Sequence, residues 1–267
     1  MKDIYFHIGF HKTGTTWLQN EVFSNTEFFN FINNHLRPWD DILIDYLVTT
    51  HPDDFESDKL FEIVNKRINK TKINIVSAER LSGHPISGGY DTRSIAEKIY
   101  KTFPKAKIII VTRDYKSFTI STFKQIVKQG YPGSFHDYIN NTNWFLPRPS
   151  KFYFENNNTV KIYKDLFNPK NVLVLDFNTF KSNKEKYLEM ISTFFSVNLI
   201  FFNGSYNKIV NKTFSNRRIR AIRLLNKFRK TEYNQFPIIN LKKNSIFLLS
   251  TLLSYCLSNK KLDLDES

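Results

Sequence analysis

Lys12, Thr13, Gly14, Thr15 and Thr16 follow a short apolar run at residues 4–8 and precede an amphipathic stretch marked by Trp17, Leu18, Val22 and Phe23. A short strand, a tight loop from Gly9 to Gly14 and a helix starting near Thr15 would turn backbone N–H groups, a cation and two hydroxyls toward one spot. That is what an anionic phosphate group needs. The two glycines keep the separation found in nucleoside-triphosphate loops, but the lysine stands two residues before Gly14, whereas a Walker A lysine follows the second glycine. A lysine at the helix start reaches β- and γ-phosphates; one inside the turn covers the far side of a shorter phosphate chain. The loop therefore points to a nucleotide donor other than ATP.

A second segment carries matching chemistry. Ile108 to Val111 are a continuous β-branched run, as expected of a central parallel strand. The run ends at Thr112-Arg113-Asp114, and Phe118, Ser121 and Phe123 follow at helical spacing. A planar guanidinium can hold phosphate oxygens bidentately, and a serine two turns into the helix can add a hydroxyl donor.

With both segments in this order, the chain resembles the sulfotransferases that use 3′-phosphoadenosine 5′-phosphosulfate (PAPS). Their first signature is a Lys-x-Gly-Thr/Ser-Thr/Ser loop after the first strand, matched by Lys12-Thr13-Gly14-Thr15-Thr16. They also place an Arg at the end of a later strand and a Ser eight residues on, as Arg113 and Ser121 stand here. The resemblance implies that Thr13, Gly14, Thr15 and Thr16 hold the donor's 5′-phosphate and that Arg113 and Ser121 bind its 3′-phosphate. Lys12 would stabilise charge on the oxygen left behind as the sulfuryl group departs. Family members also close a basic loop over the 3′-phosphate from the C-terminal part; Lys212, Arg217 or Arg218 stand in that region, without the usual glycine-containing pattern. The resemblance covers the first 125 residues well and little beyond residue 177.

Transfer of a sulfuryl group to a hydroxyl needs a base for the acceptor's proton. Glu79, just past a strand at residues 72–77, is the first candidate, with an ion pair to Arg80, Arg93 or Arg113 as the plain alternative. Cytosolic relatives carry a His at the end of that strand, whereas some sulfotransferases of glycans and tyrosine take their base from a Glu after the first helix. Glu21 and Glu27 are reserves on that ground. His11, inside the loop, could touch donor or acceptor, and His84 lies near the expected site.

The elements that must position these groups alternate along the chain. Residues 58–68 form an amphipathic helix, 83–91 a loop, 92–103 a helix feeding the strand at Ile108, and 172–177 another buried strand. Such alternation indicates crossover units. The expected class is α/β, three layers with a central parallel sheet flanked by helices, P-loop nucleotide-binding-like, with a helical C-terminal extension. Ligands of such sheets sit beyond the carboxyl ends of the strands, so Gly9, Ser77 and Thr112 should open onto one crevice. Residues 28–54 lack periodicity and are expected to be a lid or substrate-side segment of short helices. Ser215 should cap a helix with Ile219, Ile222, Leu225 and Phe228 inward and Arg217, Arg218, Arg220 and Arg223 outward. The expected division is an α/β domain at 1–210 and a basic helical part at 211–267, packed on or completing it.

Phenylalanine is abundant, at 26 of 267 residues, so the core should be rich in aromatic rings. Lys and Arg exceed Asp and Glu by 39 to 25, which favours anionic partners such as the donor nucleotide, acidic glycans or membrane surfaces. Nucleic acid is not the expected partner. The single Cys256 excludes an intrachain disulfide and is expected to be a small buried residue of the last helix. No tight Asp/Glu/His grouping suggests a metal cage, and the chemistry requires none. Without an evident leader or an apolar run long enough to cross a bilayer, the expected location is the cytoplasm. Residues 242–261, apolar between lysines, should dock on the core, with contact at the inner face of a membrane as the second option. The acceptor implied by the bacterial sulfotransferases this chain resembles is a carbohydrate hydroxyl. A nucleotide kinase-like P-loop enzyme is the runner-up, although Gly14-Thr15 breaks its motif and only Asp176 hints at its acidic partner. A non-catalytic basic module for polyanions or membranes is the third reading.

Overall fold

Apolar runs with no polar alternation belong to strands covered on both faces; the run at Ile108–Val111 lies in one of five strands that organise the chain in a computed structural model. It describes residues 3–34, 37, 40–141, 149–199, 214–237 and 239–257. The strands are β1 (Ile4–His7), β2 (Phe29–Phe31), β3 (Ile73–Ser77), β4 (Lys107–Thr112) and β5 (Val172–Asp176), in the order β2-β3-β1-β4-β5 and parallel throughout. The helices are α1 (Thr15–Trp17), α2 (Ile42–Thr49), α3 (Ser57–Asn65), α4 (Thr92–Thr102), α5 (Tyr115–Gln129), α6 (Phe135–Ile139), α7 (Lys151–Phe154), α8 (Asn157–Phe167), α9 (Phe177–Ser182), α10 (Lys184–Phe195), α11 (Asn216–Asn226) and α12 (Lys243–Cys256). The expected α/β class with a parallel sheet flanked by helices is what the chain adopts.

Contacts divide the chain into two units: residues 1–84, 89–113 and 155–210, and residues 85–88, 114–154 and 211–267. The boundary expected between 210 and 211 falls outside the described residues, as does Lys212. In the first unit the twofold period of the strands sorts side chains to two faces. Tyr5, Ile75, Ile109, Val111 and Leu175 face a cluster with Trp17, Phe23, Phe29, Tyr187 and Phe195. Phe195 is a hub of that cluster, its ring 4.6 Å from Tyr5 and 5.0 Å from Phe29.

Two expectations change in this unit. Residues 28–54 contain a sheet strand, β2, and not only short helices; three residues are too few to show a period, but Phe29 is buried and pairs with Ile73. The helix after the loop is α-helical only over α1 and widens to a π-helix from Leu18 to Phe23. π-Turns of this kind recur at functional sites.

The second unit packs α5, α6, α11 and α12 around Phe123, Ile126, Tyr138, Ile219, Ile222 and Ile246. Ser215 caps α11 by accepting from the Arg218 N–H, and Asp114 caps α5. Phe228 lies beyond the end of α11 and is 37% exposed, so it does not face inward as expected. Arg218 is not a free outward cation either, since its guanidinium stacks 4.0 Å from the Phe214 ring and reaches the Phe247 carbonyl. Cys256 is exposed, contrary to the expected burial, because α12 turns only Ile246 and Ser250 fully inward.

Truncating Phe195 to Ala should cost about 3–5 kcal/mol of unfolding free energy, the range for large core aromatics. Urea denaturation of the two proteins checks this.

Candidate active site

β1 is bonded to β3 on one edge and to β4 on the other. The chain leaves β1 toward the β2–β3 side and leaves β4 toward β5, so the two connections part between β1 and β4. That is where parallel sheets open a crevice at their carboxyl ends. The β1–β4 ladder runs past the end of β1, with Ile8 N–H donating to the Ile109 carbonyl at 2.9 Å.

From that anchor the loop turns sharply. Lys12 has φ 66° and Gly14 φ 82°, both in the left-handed region that L side chains rarely adopt. The Thr13 hydroxyl closes the turn on the Phe10 carbonyl. A Cβ on Gly14 would press on the Phe177 ring at 3.2 Å, and one on Gly9 would lie 2.8 Å from His7 Nε2 and 2.9 Å from Thr15 Oγ1. Among the described residues, the N–H groups of Gly14, Thr15 and Thr16 have no acceptor, and the buried Thr15 hydroxyl makes no well-aligned hydrogen bond. Orphan donors gathered at a helix start, beside an exposed lysine, suit a phosphate.

Arg113 arrives at the same loop. Its Nη1 donates to the Lys12 carbonyl at 2.8 Å, and its guanidinium lies 5.3 Å from the Phe177 ring centroid. Its own carbonyl accepts from Asn156 Nδ2 at 2.6 Å. Phe177, on the first turn of α9, thus supports both Gly14 and Arg113, a role no local pattern announced. Ser121 and Arg217 belong to the second unit, Ser121 half-buried on α5 and Arg217 exposed on the first turn of α11.

Glu79 follows β3 in a single 3-10 turn, and its Oε2 lies 2.9 Å from His11 Nδ1. Arg80 pairs instead with Asp91, and Arg93 with Glu97. Burial alone would raise the Glu79 pKa; the hydrogen bond and charge of His11 outweigh it, with help from Lys12 and the nearby Thr15 hydroxyl, and hold it below the usual carboxylate value. His11 Nε2 is buried and has no hydrogen-bond partner. Of the reserves, Glu21 is half-buried in the π-helical turn, and Glu27 precedes β2, at the opposite end of the sheet from the loops after β1, β3 and β4. His84 is held below its usual pKa by burial first and Arg80 second.

Sequence reasoning missed the network beneath this pair. His7, fully buried in β1, sets Nδ1 2.7 Å from the Ser77 hydroxyl. Gln19 donates to the same hydroxyl at 3.0 Å and to the Ser77 carbonyl at 3.1 Å, while Asn33 both accepts from Ser77 N–H and donates to its carbonyl. The Ser77 hydroxyl thus accepts from Gln19 and shares a second hydrogen bond with His7 Nδ1, whose direction follows the His7 tautomer. Burial pushes the His7 pKa down to about 4, against the opposing pull of Glu79. A histidine inside an otherwise apolar strand, two residues before the loop, was the available signal.

Residues 2–236 match the family described as Sulfotransferase domain. A search of curated proteins gave no match. A crystal structure of a sulfotransferase from Alicyclobacillus acidocaldarius aligns with TM-score 0.55 and 15% identity over 84% of this chain and 95% of its own, which supports the fold. A mouse sulfotransferase complexed with PAP aligns with TM-score 0.38 and 18% identity over 92% and 75%, and a sulfotransferase domain from the curacin biosynthetic pathway with 0.48 and 10% over 94% and 98%.

A carboxylate whose folded pKa lies below its unfolded value adds stability above the unfolded pKa and loses it as pH falls through the folded one. For Glu79 the reference value is 4.5. The melting-temperature deficit of Glu79→Gln should therefore be full at pH 7 and shrink as pH drops below that value, as a pH series of thermal melts will show.

Proposed function

Since the chain belongs to the sulfotransferase domain family and is thereby a PAPS-dependent sulfotransferase, we propose that its acceptor is a carbohydrate hydroxyl and that His11, oriented by Glu79, takes the acceptor's proton. A cell-surface polysaccharide or glycolipid precursor, met at the inner face of the membrane, would fit this reading. The observation that carries the site assignment is the Lys12–Thr16 loop, with its orphan N–H donors, tied to Arg113 through the Lys12 carbonyl.

The donor supplies a sulfuryl group on an oxygen bridging to its 5′-phosphate. Gly14, Thr15 and Thr16 would receive that phosphate through their N–H groups and the Thr15 hydroxyl. Lys12, set by its own turn, faces the charge that builds on the bridging oxygen as the sulfur–oxygen bond breaks, without reorganising in the reaction. Glu79 holds the Nδ1 proton of His11, which leaves Nε2 to accept the proton of the acceptor hydroxyl while the new oxygen–sulfur bond forms. Arg113 is assigned to the donor's 3′-phosphate; Ser121 and Arg217 keep the donor-binding roles that the resemblance gives them.

Adenosine 3′,5′-bisphosphate should raise the melting temperature more than magnesium-ATP or free sulfate at equal concentration; a larger shift with magnesium-ATP would favour a kinase. Lys12→Ala should lower kcat by about 10²–10³-fold, the loss seen when one preorganised donor is removed. Arg113→Ala should instead weaken bisphosphate binding by about 2–5 kcal/mol, measured by calorimetry. Both His11→Ala and Glu79→Gln should remove most turnover while leaving bisphosphate affinity nearly intact. Labelled-sulfate transfer to phenols or tyrosyl peptides, with none to carbohydrates, would overturn the acceptor assignment.

A further inference from the structure

Sulfuryl transfer does not account for one surface of the second unit. α12 buries Ile246 and Ser250 against α11, where Arg218 reaches Ser250 and the Phe247 carbonyl. Its opposite side leaves Leu248 71%, Leu252 64% and Tyr255 80% exposed at i, i+4 and i+7, with Leu249 and Leu253 in the adjoining row at 38% and 40%. An ordered apolar stripe of this kind on a water-facing helix marks an interaction surface. It sits in a strongly cationic setting, since residues 214–257 hold nine Lys and Arg against the single Glu232. Lys242 and Lys243 stand exposed at the start of the same helix.

We propose that this face of α12 lies in the plane of an anionic lipid surface. Leucines would enter the boundary between headgroups and acyl chains, Tyr255 would sit at headgroup level, and the flanking cations would meet acidic headgroups. With 14 residues, α12 is about 21 Å long. No described helix is long and apolar enough to cross a membrane, so the helix rests on the surface and does not span it. Charge argues against a second copy as occupant, because two such faces would bring two cation-rich segments together, each with Lys242 and Lys243 exposed. An acidic bilayer offers the opposite sign and an apolar phase at once. This inference does not depend on the acceptor.

The test is co-sedimentation of the full chain with vesicles of phosphatidylcholine alone or with about 30 mol% phosphatidylglycerol, the anionic lipid supplying the surface potential. Binding should be at least about tenfold stronger to the anionic vesicles and fall steeply toward ~0.5 M salt as the charges are screened. The double variant Leu248→Glu and Leu252→Glu should lose about tenfold or more, given the cost of charge on a lipid-facing row, with an unchanged circular dichroism spectrum. Lys242→Glu with Lys243→Glu should reduce only the anionic preference. Equal binding to both vesicle types, no binding, or wild-type binding by the leucine variant overturns the proposal. So does a concentration-dependent dimer, seen by analytical ultracentrifugation, that the leucine variant dissolves in the absence of vesicle binding.

Discussion

The parallel pairing of β1 with both β3 and β4 is the constraint on which the site depends. His7 stands opposite Ser77 on one side and Ile109 on the other. Because all three strands run the same way, the loops after them emerge at one end of the sheet. The loop of Lys12, the turn of Glu79 and the start of Arg113 are thereby brought together from three distant parts of the chain. A slip of one residue in either register would move Ser77 or Arg113 and turn buried side chains to the opposite face. The apolar stretches Ile4–Phe6 of β1 and Ile108–Val111 of β4 bury the register in the core, so core packing and site geometry have the same origin.

The polar groups under the site show how position is then refined. Burying a hydroxyl, an imidazole and two amides is unfavourable unless each finds a partner. Ser77 satisfies most of them at once, through bonds to Gln19, Asn33 and His7. Those three residues come from the π-helical turn, from the chain just past β2 and from β1. The short edge strand β2 and the widened turn thus converge on one serine, two residues ahead of Glu79. Their effect is to fix where the 3-10 turn bearing the carboxylate begins.

What the sequence disclosed, and what it did not, follows from range. The loop at Lys12–Thr16 and the strand ending at Arg113 are local patterns in which residue type and spacing suffice, so both were visible, as was the alternation that gives a parallel sheet. β2 was hidden because three residues carry no period. The Ser77 network was hidden because its contacts join residues 44 to 70 positions apart. Phe177 gave no sign of its support for Gly14 and Arg113 for the same reason. Cys256 was misplaced by a different cause: α12 exposes Leu248 and Leu252 and buries Ser250, so hydrophobicity could not tell its buried side from its exposed one.

The electrostatics of Glu79 divide the work within the candidate catalytic pair. A carboxylate held below its usual pKa is ionised throughout the neutral range, and for that reason it is a weak proton acceptor. Its geometry suits a different role, because Oε2 faces His11 Nδ1 at 2.9 Å and so fixes the imidazole's orientation and tautomer. In a neutral ring that contact puts the proton on Nδ1 and leaves Nε2, the buried atom with no partner, to accept one. When that nitrogen takes a proton, the imidazolium is stabilised by the carboxylate already beside it. Lys12 stands on the same loop and favours the ionised form of Glu79, so the cation proposed to face the departing phosphate oxygen would also keep the carboxylate charged. In that proposal one turn of chain carries groups for both ends of the transfer, His11 beside Glu79 and Lys12 at positive φ.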